Sequence, residues 1–126
     1  MNGKRYFLDT NAIVQLLAGN RTLLELLNRA DYVATSVICE LEYFAFPDLP
    51  DEDKDLFEQF RVKVQVTDLC SDDVQLKEQI LQLRSEKKLK LPDAIIAASA
   101  MSQNSVLLTE DKQLLNHPEV RAESYL

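Results

Sequence analysis

Six carboxylates fall where the chain leaves a strand-forming run or enters a helix: Asp9, Glu40, Glu42, Asp93, Glu110 and Asp111. With 21 acidic residues in a chain of 126, any one of them is most simply a solvated charge or a helix cap. Asp9 and Asp93 fit that explanation least. Tyr6-Phe7-Leu8 precedes Asp9 and Ala94-Ile95-Ile96-Ala97-Ala98 follows Asp93, so both lie beside buried segments, where an uncompensated charge costs several kcal/mol. No Arg or Lys nearby in sequence is an obvious partner for Asp9. A hard divalent cation accepts several carboxylates and waters and removes their mutual repulsion. Three or four converging acids therefore point to a Mg²⁺ or Mn²⁺ site. Such sites serve phosphate chemistry, because the ion neutralises a phosphodiester and lowers the pKa of a bound water.

Other chemistries are poorly supplied. Gly3 and Gly19 are the only glycines, whereas a phosphate-cradling loop needs two or three close together. Cys39, Cys70 and His117 are the only cysteines and histidine, too few for a four-ligand zinc site. A Ser-His-Asp triad would rest on His117, which in Asn116-His117-Pro118 is expected in a surface loop. Both cysteines are expected as buried thiols in a reducing compartment. The charge balance, 14 − 21 = −7, argues against a broad basic face for nucleic acid. If RNA is the substrate, something else must bring positive charge. The opening MNGKRYFLDTNAIV has no long uncharged apolar run and is not expected to be a signal peptide, and nothing approaches the roughly 18 apolar residues of a membrane span. The expectation is one soluble, cytoplasmic domain over residues 1–126.

The elements that must hold these acids follow from periodicity and punctuation. Residues 5–8 form a strand ending at Asp9, and 11–18 a helix closed by Gly19. A helix over 22–30, a strand over 32–35 and a helix over 36–46 capped by Ser36 come next. Phe46-Pro47-Asp48-Leu49-Pro50-Asp51 is a turn. A helix over 51–60, a strand over 62–67 and a long helix over 72–88 follow, with Val74, Leu76, Ile80, Leu81 and Leu83 as its core candidates. Pro92 opens a buried helix over 93–102, residues 105–108 are a fourth strand, and 120–124 a candidate fifth. This alternation predicts a three-layer α/β/α sandwich with a mainly parallel sheet of four or five strands. Ligands of such sheets gather beyond the carboxyl ends of the strands, where strand order reverses.

Four blocks recur together in this order: Leu8-Asp9-Thr10-Asn11 after the first strand; Ser36-Val37-Ile38 followed by Glu42; Leu91-Pro92-Asp93-Ala94-Ile95-Ile96-Ala97-Ala98; and Leu107-Leu108-Thr109-Glu110-Asp111-Lys112. Nearly the whole chain thereby resembles the PIN-domain ribonucleases, and among them the VapC toxins of bacterial toxin–antitoxin pairs. The resemblance implies an endoribonuclease in which four acids hold Mg²⁺ or Mn²⁺ for cleavage of RNA. It assigns that role to Asp9, Glu42, Asp93 and Asp111, gives Asn11 and Thr109 as residues that orient the cluster, and includes Thr10 in the first motif. Cys39 stands where Thr is more usual, which puts one local side-chain hydrogen bond in question. A VapB-like antitoxin and a homodimer are the partners it implies.

Glu40 and Glu42 sit about 200° apart around a helix axis and flank the apolar stripe on opposite sides. The wheel does not choose between them; the family spacing from Ser36 selects Glu42 and leaves Glu40 as a solvated flank residue. Arg84, Lys87, Lys88 and Lys90 form a basic knot ahead of Asp93, either a solvated helix end or a phosphate-docking group. Ile13, Leu16, Leu17, Leu23, Leu24 and Leu27 exceed what one sheet face needs and suggest the dimer surface. Two other readings stay open. One is a catalytically silent PIN-like binding module. The other is a phospho-receiver-like domain, for which Asp72-Asp73 stands in the wrong place.

Overall fold

A computed structural model of the chain describes residues 3–87 and 89–126. Five strands, β1 (Arg5–Leu8), β2 (Tyr32–Ser36), β3 (Gln65–Thr67), β4 (Val106–Leu108) and β5 (Ala122–Glu123), form one sheet in the order β3-β2-β1-β4-β5. Every pairing is parallel. The helices are α1 (Thr10–Leu17), α2 (Arg21–Asn28), α3 (Val37–Phe44), α4 (Asp51–Arg61), α5 (Val74–Lys87), α6 (Leu91–Ser102) and the short α7 (Lys112–Leu115). This is the expected α/β/α sandwich. The chain runs outward from β1 through β2 to β3, then returns to β4 on the other side of β1. Strand order thus reverses between β1 and β4, which opens a crevice beyond their carboxyl ends. The order differs from the 2-1-3-4-5 arrangement of flavodoxin-like sheets, which removes the receiver reading. Asp73 instead caps α5, accepting the Leu76 N–H at 3.1 Å.

The central strands are apolar on both faces because helices cover both. Phe7 and Leu8 of β1 and Leu107 and Leu108 of β4 are wholly buried, and truncating Phe7 to Ala should cost about 3–5 kcal/mol. α6 is hydrophobic nearly all round, with Ala94 to Ala100 buried without interruption, as the small side chains at its start predict. Asn20 and Ser36 cap α2 and α3 through their side-chain oxygens. Gly19 supplies the φ of +95° that turns the chain from α1 into α2.

Several expectations are corrected. β3 is shorter than residues 62–67: α4 continues to Arg61, a turn follows in which the Lys63 N–H bonds Phe60 O, and Val62 is 81% exposed. On α5, Leu76, Ile80 and Leu83 are buried, but Val74 and Leu81 are exposed. Successive residues advance 100° around the axis, so these two lie off the stripe that the other three define. Cys39 is buried, but Cys70 is exposed in the loop between β3 and α5. His117 is buried rather than on a surface loop: a turn folds over it, with the Glu119 N–H donating to Nδ1 at 3.1 Å. Ile13 and Leu23 are wholly buried in the chain's own core. The surplus apolar surface of α1 and α2 is therefore smaller than expected. Leu16, Leu24 and Leu27 line a groove of about 470 Å³ together with Phe60 and Val64.

Candidate active site

Asp9 ends β1 and begins α1. Its Oδ1 accepts the Ala12 N–H at 2.8 Å, so the residue that leaves the strand also caps the helix, and the cap fixes its carboxylate at the crevice. Asp9 is 9% exposed. Burial pushes its carboxyl above the ordinary carboxylate range; the nearby Thr109 hydroxyl and the hydrogen bond from the Ala12 N–H oppose this, and the charges of Asp93 and Asp111 add to it. Asp93, in the first turn of α6, is raised mainly by burial, then by Asp111 and Glu42, with Lys90 opposing. These influences link all four acids into one electrostatic cluster.

Two threonines orient the cluster. The Thr10 hydroxyl donates to Glu42 Oε1 at 2.6 Å, which joins the start of α1 to α3. The Thr109 hydroxyl accepts the Asp111 N–H at 3.0 Å and lies close enough to Asp9 to draw its carboxyl down against the effect of burial. Asp111 in turn caps α7 through the Gln113 N–H at 2.8 Å. Asp9, Thr10, Asn11, Glu42, Asp93 and Asp111 line a single pocket of about 450 Å³ with Ala45, Phe46 and Ile96. Thr109 is buried beneath it. Asn11 is exposed and, among the described residues, makes no hydrogen bond to the four acids.

Glu40 is elsewhere. It approaches Arg61 of α4, with Oε1 2.8 Å from Nη1. The pair meets without hydrogen-bond alignment, since Glu40 Oε1 is buried without a hydrogen-bond partner. Glu40 is therefore an inter-helix ion-pair partner and not the solvated flank residue expected. Glu110 also leaves the cluster: its carboxylate accepts the Ser124 hydroxyl and the Tyr125 N–H, which fastens the end of the chain to β4. Of the basic knot, Arg84 Nη1 donates to Leu89 O at 2.9 Å, tying α5 to the start of α6. Lys90 precedes α6. Lys88 lies outside the described residues, and of Lys87 only the backbone is described. Among the described residues lining the pocket there is no lysine or arginine. Cys39 makes a side-chain hydrogen bond of its own, its Sγ donating to Leu8 O at 3.7 Å, and the same oxygen accepts the Thr35 hydroxyl at 2.8 Å. Burial pushes the Cys39 thiol up, so it stays neutral.

Two features escaped the sequence reading. Tyr125 is 3% exposed and its phenol is pushed up to about 12, by burial first and then by Asp9 and Glu110. A single aromatic beyond a two-residue strand has no periodicity to reveal it. The second is the apolar wall formed by Ala45, Phe46 and Ile96, whose first two members read only as a helix end and a turn.

The donor set suits a hard cation, being all oxygen. Among the described residues, however, no three Asp, Glu, His or Cys side chains stand close enough to hold an ion as they are. Mg²⁺ keeps several waters and takes one or two carboxylates directly. Widely set acids with no cationic neighbour in the pocket therefore fit a hydrated ion.

Comparison with known proteins places this architecture. The PIN domain family model matches residues 6–120. A chain of a toxin–antitoxin complex from Klebsiella pneumoniae is similar, at 25% identity and a TM-score of 0.78, covering 96% of this chain and 98% of that one. A chain of DNA-bound VapBC from Salmonella typhimurium superposes with a TM-score of 0.81 at 24% identity, covering 98% and 99%. For VapBC2 of Rickettsia felis bound to a promoter DNA fragment the TM-score is 0.78 at 21% identity, covering 94% and 97%. No curated protein matches the chain. Among the described residues no helix is long and apolar enough to cross a membrane. With the family model spanning nearly all of the chain and the fold shared with these toxin–antitoxin structures, the chain belongs to the PIN domain family.

Proposed function

We propose that this PIN domain is a Mg²⁺- or Mn²⁺-dependent endoribonuclease, the toxin of a VapBC-type pair, acting in the cytoplasm on single-stranded or structured RNA. The observation that carries the reading is the single pocket lined by Asp9, Glu42, Asp93 and Asp111 with no lysine or arginine among its described lining residues. Asp9, Glu42, Asp93 and Asp111 are the residues that would hold the ion. When bound, the ion offsets phosphodiester charge and acidifies a water. Thr10 holds Glu42, and Thr109 accepts the Asp111 N–H close to Asp9, so the cluster keeps its geometry against the acids' own repulsion. Asn11 lines the same pocket and is assigned a supporting role. Arg84, Lys87, Lys88 and Lys90 are candidates for docking RNA outside it.

The reading includes a VapB-like antitoxin, since solved relatives of this fold include chains of VapBC complexes, and a homodimer. Light scattering should give a mass well above 14.4 kDa; a value at that mass at high micromolar concentration contradicts the dimer. The wide setting of the acids favours one second reading, a catalytically silent module. Incubation of the purified chain with a panel of RNAs, with Mn²⁺ and with EDTA, separates the two. Cleavage with Mn²⁺ that is lost in EDTA and lost in Asp93→Asn is expected. Full activity in EDTA, or unchanged cleavage by Asp93→Asn, contradicts the mechanism.

A further inference from the structure

One wall of the pocket is made of a different material from the rest. Beside the acids the lining turns apolar: Ala45 and Ile96 follow Glu42 and Asp93 by one turn of α3 and α6, and with them stands Phe46, a large aromatic that is 44% exposed. Its position is fixed. The Phe46 N–H bonds Tyr43 O at 3.4 Å, and its ring meets that of Tyr43 edge-on, with centroids 6.3 Å apart and planes at 76°. Tyr43 is anchored in turn, its hydroxyl donating to Asp53 O at 2.9 Å. Beyond Phe46 come Pro47, then Asp48 in the left-handed region at φ 55°, then Pro50, a segment with little freedom to carry the ring away.

An acidic chain has a particular need for such a group. With a net charge of −7 and no lysine or arginine among the described residues lining the pocket, phosphate contacts inside it are scarce as a source of affinity. Stacking of a base on an aromatic face is insensitive to net charge, is worth about 1–3 kcal/mol per base, and suits unstacked bases of single-stranded RNA. We propose that Phe46 is the platform on which an unpaired nucleobase next to the scissile phosphate stacks, so that it positions single-stranded RNA over the acids. This rests on reading the pocket as an RNA-cleaving site.

The test uses a short single-stranded oligoribonucleotide that the parent protein cuts with Mn²⁺, and the same oligonucleotide with an abasic ribose beside the cut. Phe46→Ala is expected to raise KM by roughly five- to a hundredfold while kcat stays within a few-fold. Phe46→Trp should restore KM, and Phe46→Leu, which keeps apolar bulk and so controls for packing, should not. On the abasic oligonucleotide the parent and Phe46→Ala should converge. The ratio of their KM values should hold as salt rises, whereas loss of a phosphate contact would change it. The thermal shift given by Mn²⁺ should be the same in all four proteins. If the parent cuts RNA and Phe46→Ala or Phe46→Leu matches its KM, the platform is refuted while the nuclease reading stands. A parent that cuts no RNA with Mn²⁺ overturns both.

Discussion

The two ends of the sheet treat polar groups in opposite ways. Where β1 and β2 begin, Arg5 donates twice to Gln103 O and lies over the Tyr32 ring at 3.9 Å; the Tyr32 hydroxyl donates to the Gln103 side chain, whose amide in turn donates to Thr67, the last residue of β3. A cation, an aromatic face and an amide satisfy one another there. Where β1 and β4 end, Asp9 and Asp93 are raised by burial and by one another's neighbours, and the described pocket lining holds no cation. The first arrangement is what stability asks for. The second costs stability, and groups that burial and like charge both perturb in a cleft mark a candidate functional site.

Breaking the acidic end should have the largest effect on cleavage. Asp93→Asn is expected to abolish it, measured as initial rate at saturating Mn²⁺, while circular dichroism stays that of the parent. Glu42→Gln should lose a hundredfold or more, a barrier increase of ~3 kcal/mol. Glu40→Gln should stay within a few-fold, yet lower the melting temperature because Arg61 loses its partner on α3 and keeps only Glu58 within its own helix. The reverse ranking in a side-by-side assay would place the third motif two residues off.

Breaking the satisfied end should sharpen the contrast from the other direction. Gln103→Ala leaves the Tyr32 hydroxyl and Thr67 without their partner, and should cost about 1–3 kcal/mol in chemical denaturation. Metal-dependent kcat should stay close to that of the parent. A loss of kcat on the scale of Asp93→Asn would mean that the two ends are not separate.

The smallest effect expected is one of pH. Because the folded carboxyls of Asp9 and Asp93 titrate above their ordinary range, the fold favours their protonated forms. Stability from this source is present below the ordinary carboxylate range and is lost as pH rises through the raised values. Metal-free Asp9→Asn keeps an oxygen to cap α1 and should melt above the parent at neutral pH. That advantage should shrink as pH falls toward the ordinary carboxylate range. An advantage that grows on acidification would contradict the sign.

Much of this was legible in the sequence because it rested on long-range alternation and on motifs at strand ends. Asp9, Glu42, Asp93 and Asp111 stand beyond β1, β2 and β4 for the reason a parallel sheet with a strand-order reversal gives, and Pro92 falls in the first turn of α6, which begins one residue earlier, at Leu91. What stayed hidden depends on packing between elements. The Arg61 that engages Glu40 lies 21 positions away on another helix. The burial of Ile13, Leu23 and His117 depends on which neighbours cover them, and β3 stops short because only Gln65–Thr67 find partners on β2. Phe46 was visible as a residue but not as a wall.

In the proposed reading Asp9, Glu42, Asp93 and Asp111 together hold a divalent ion that relieves their mutual repulsion. Thermal melting at neutral pH, with and without Mn²⁺, for the parent and Asp93→Asn tests it most directly. The parent should rise with Mn²⁺, by about 2.7 kcal/mol of stability at a hundred times Kd. Asp93→Asn should start higher than the metal-free parent and gain little from the ion. A parent indifferent to Mn²⁺, or a variant that gains as much as the parent, would contradict the account.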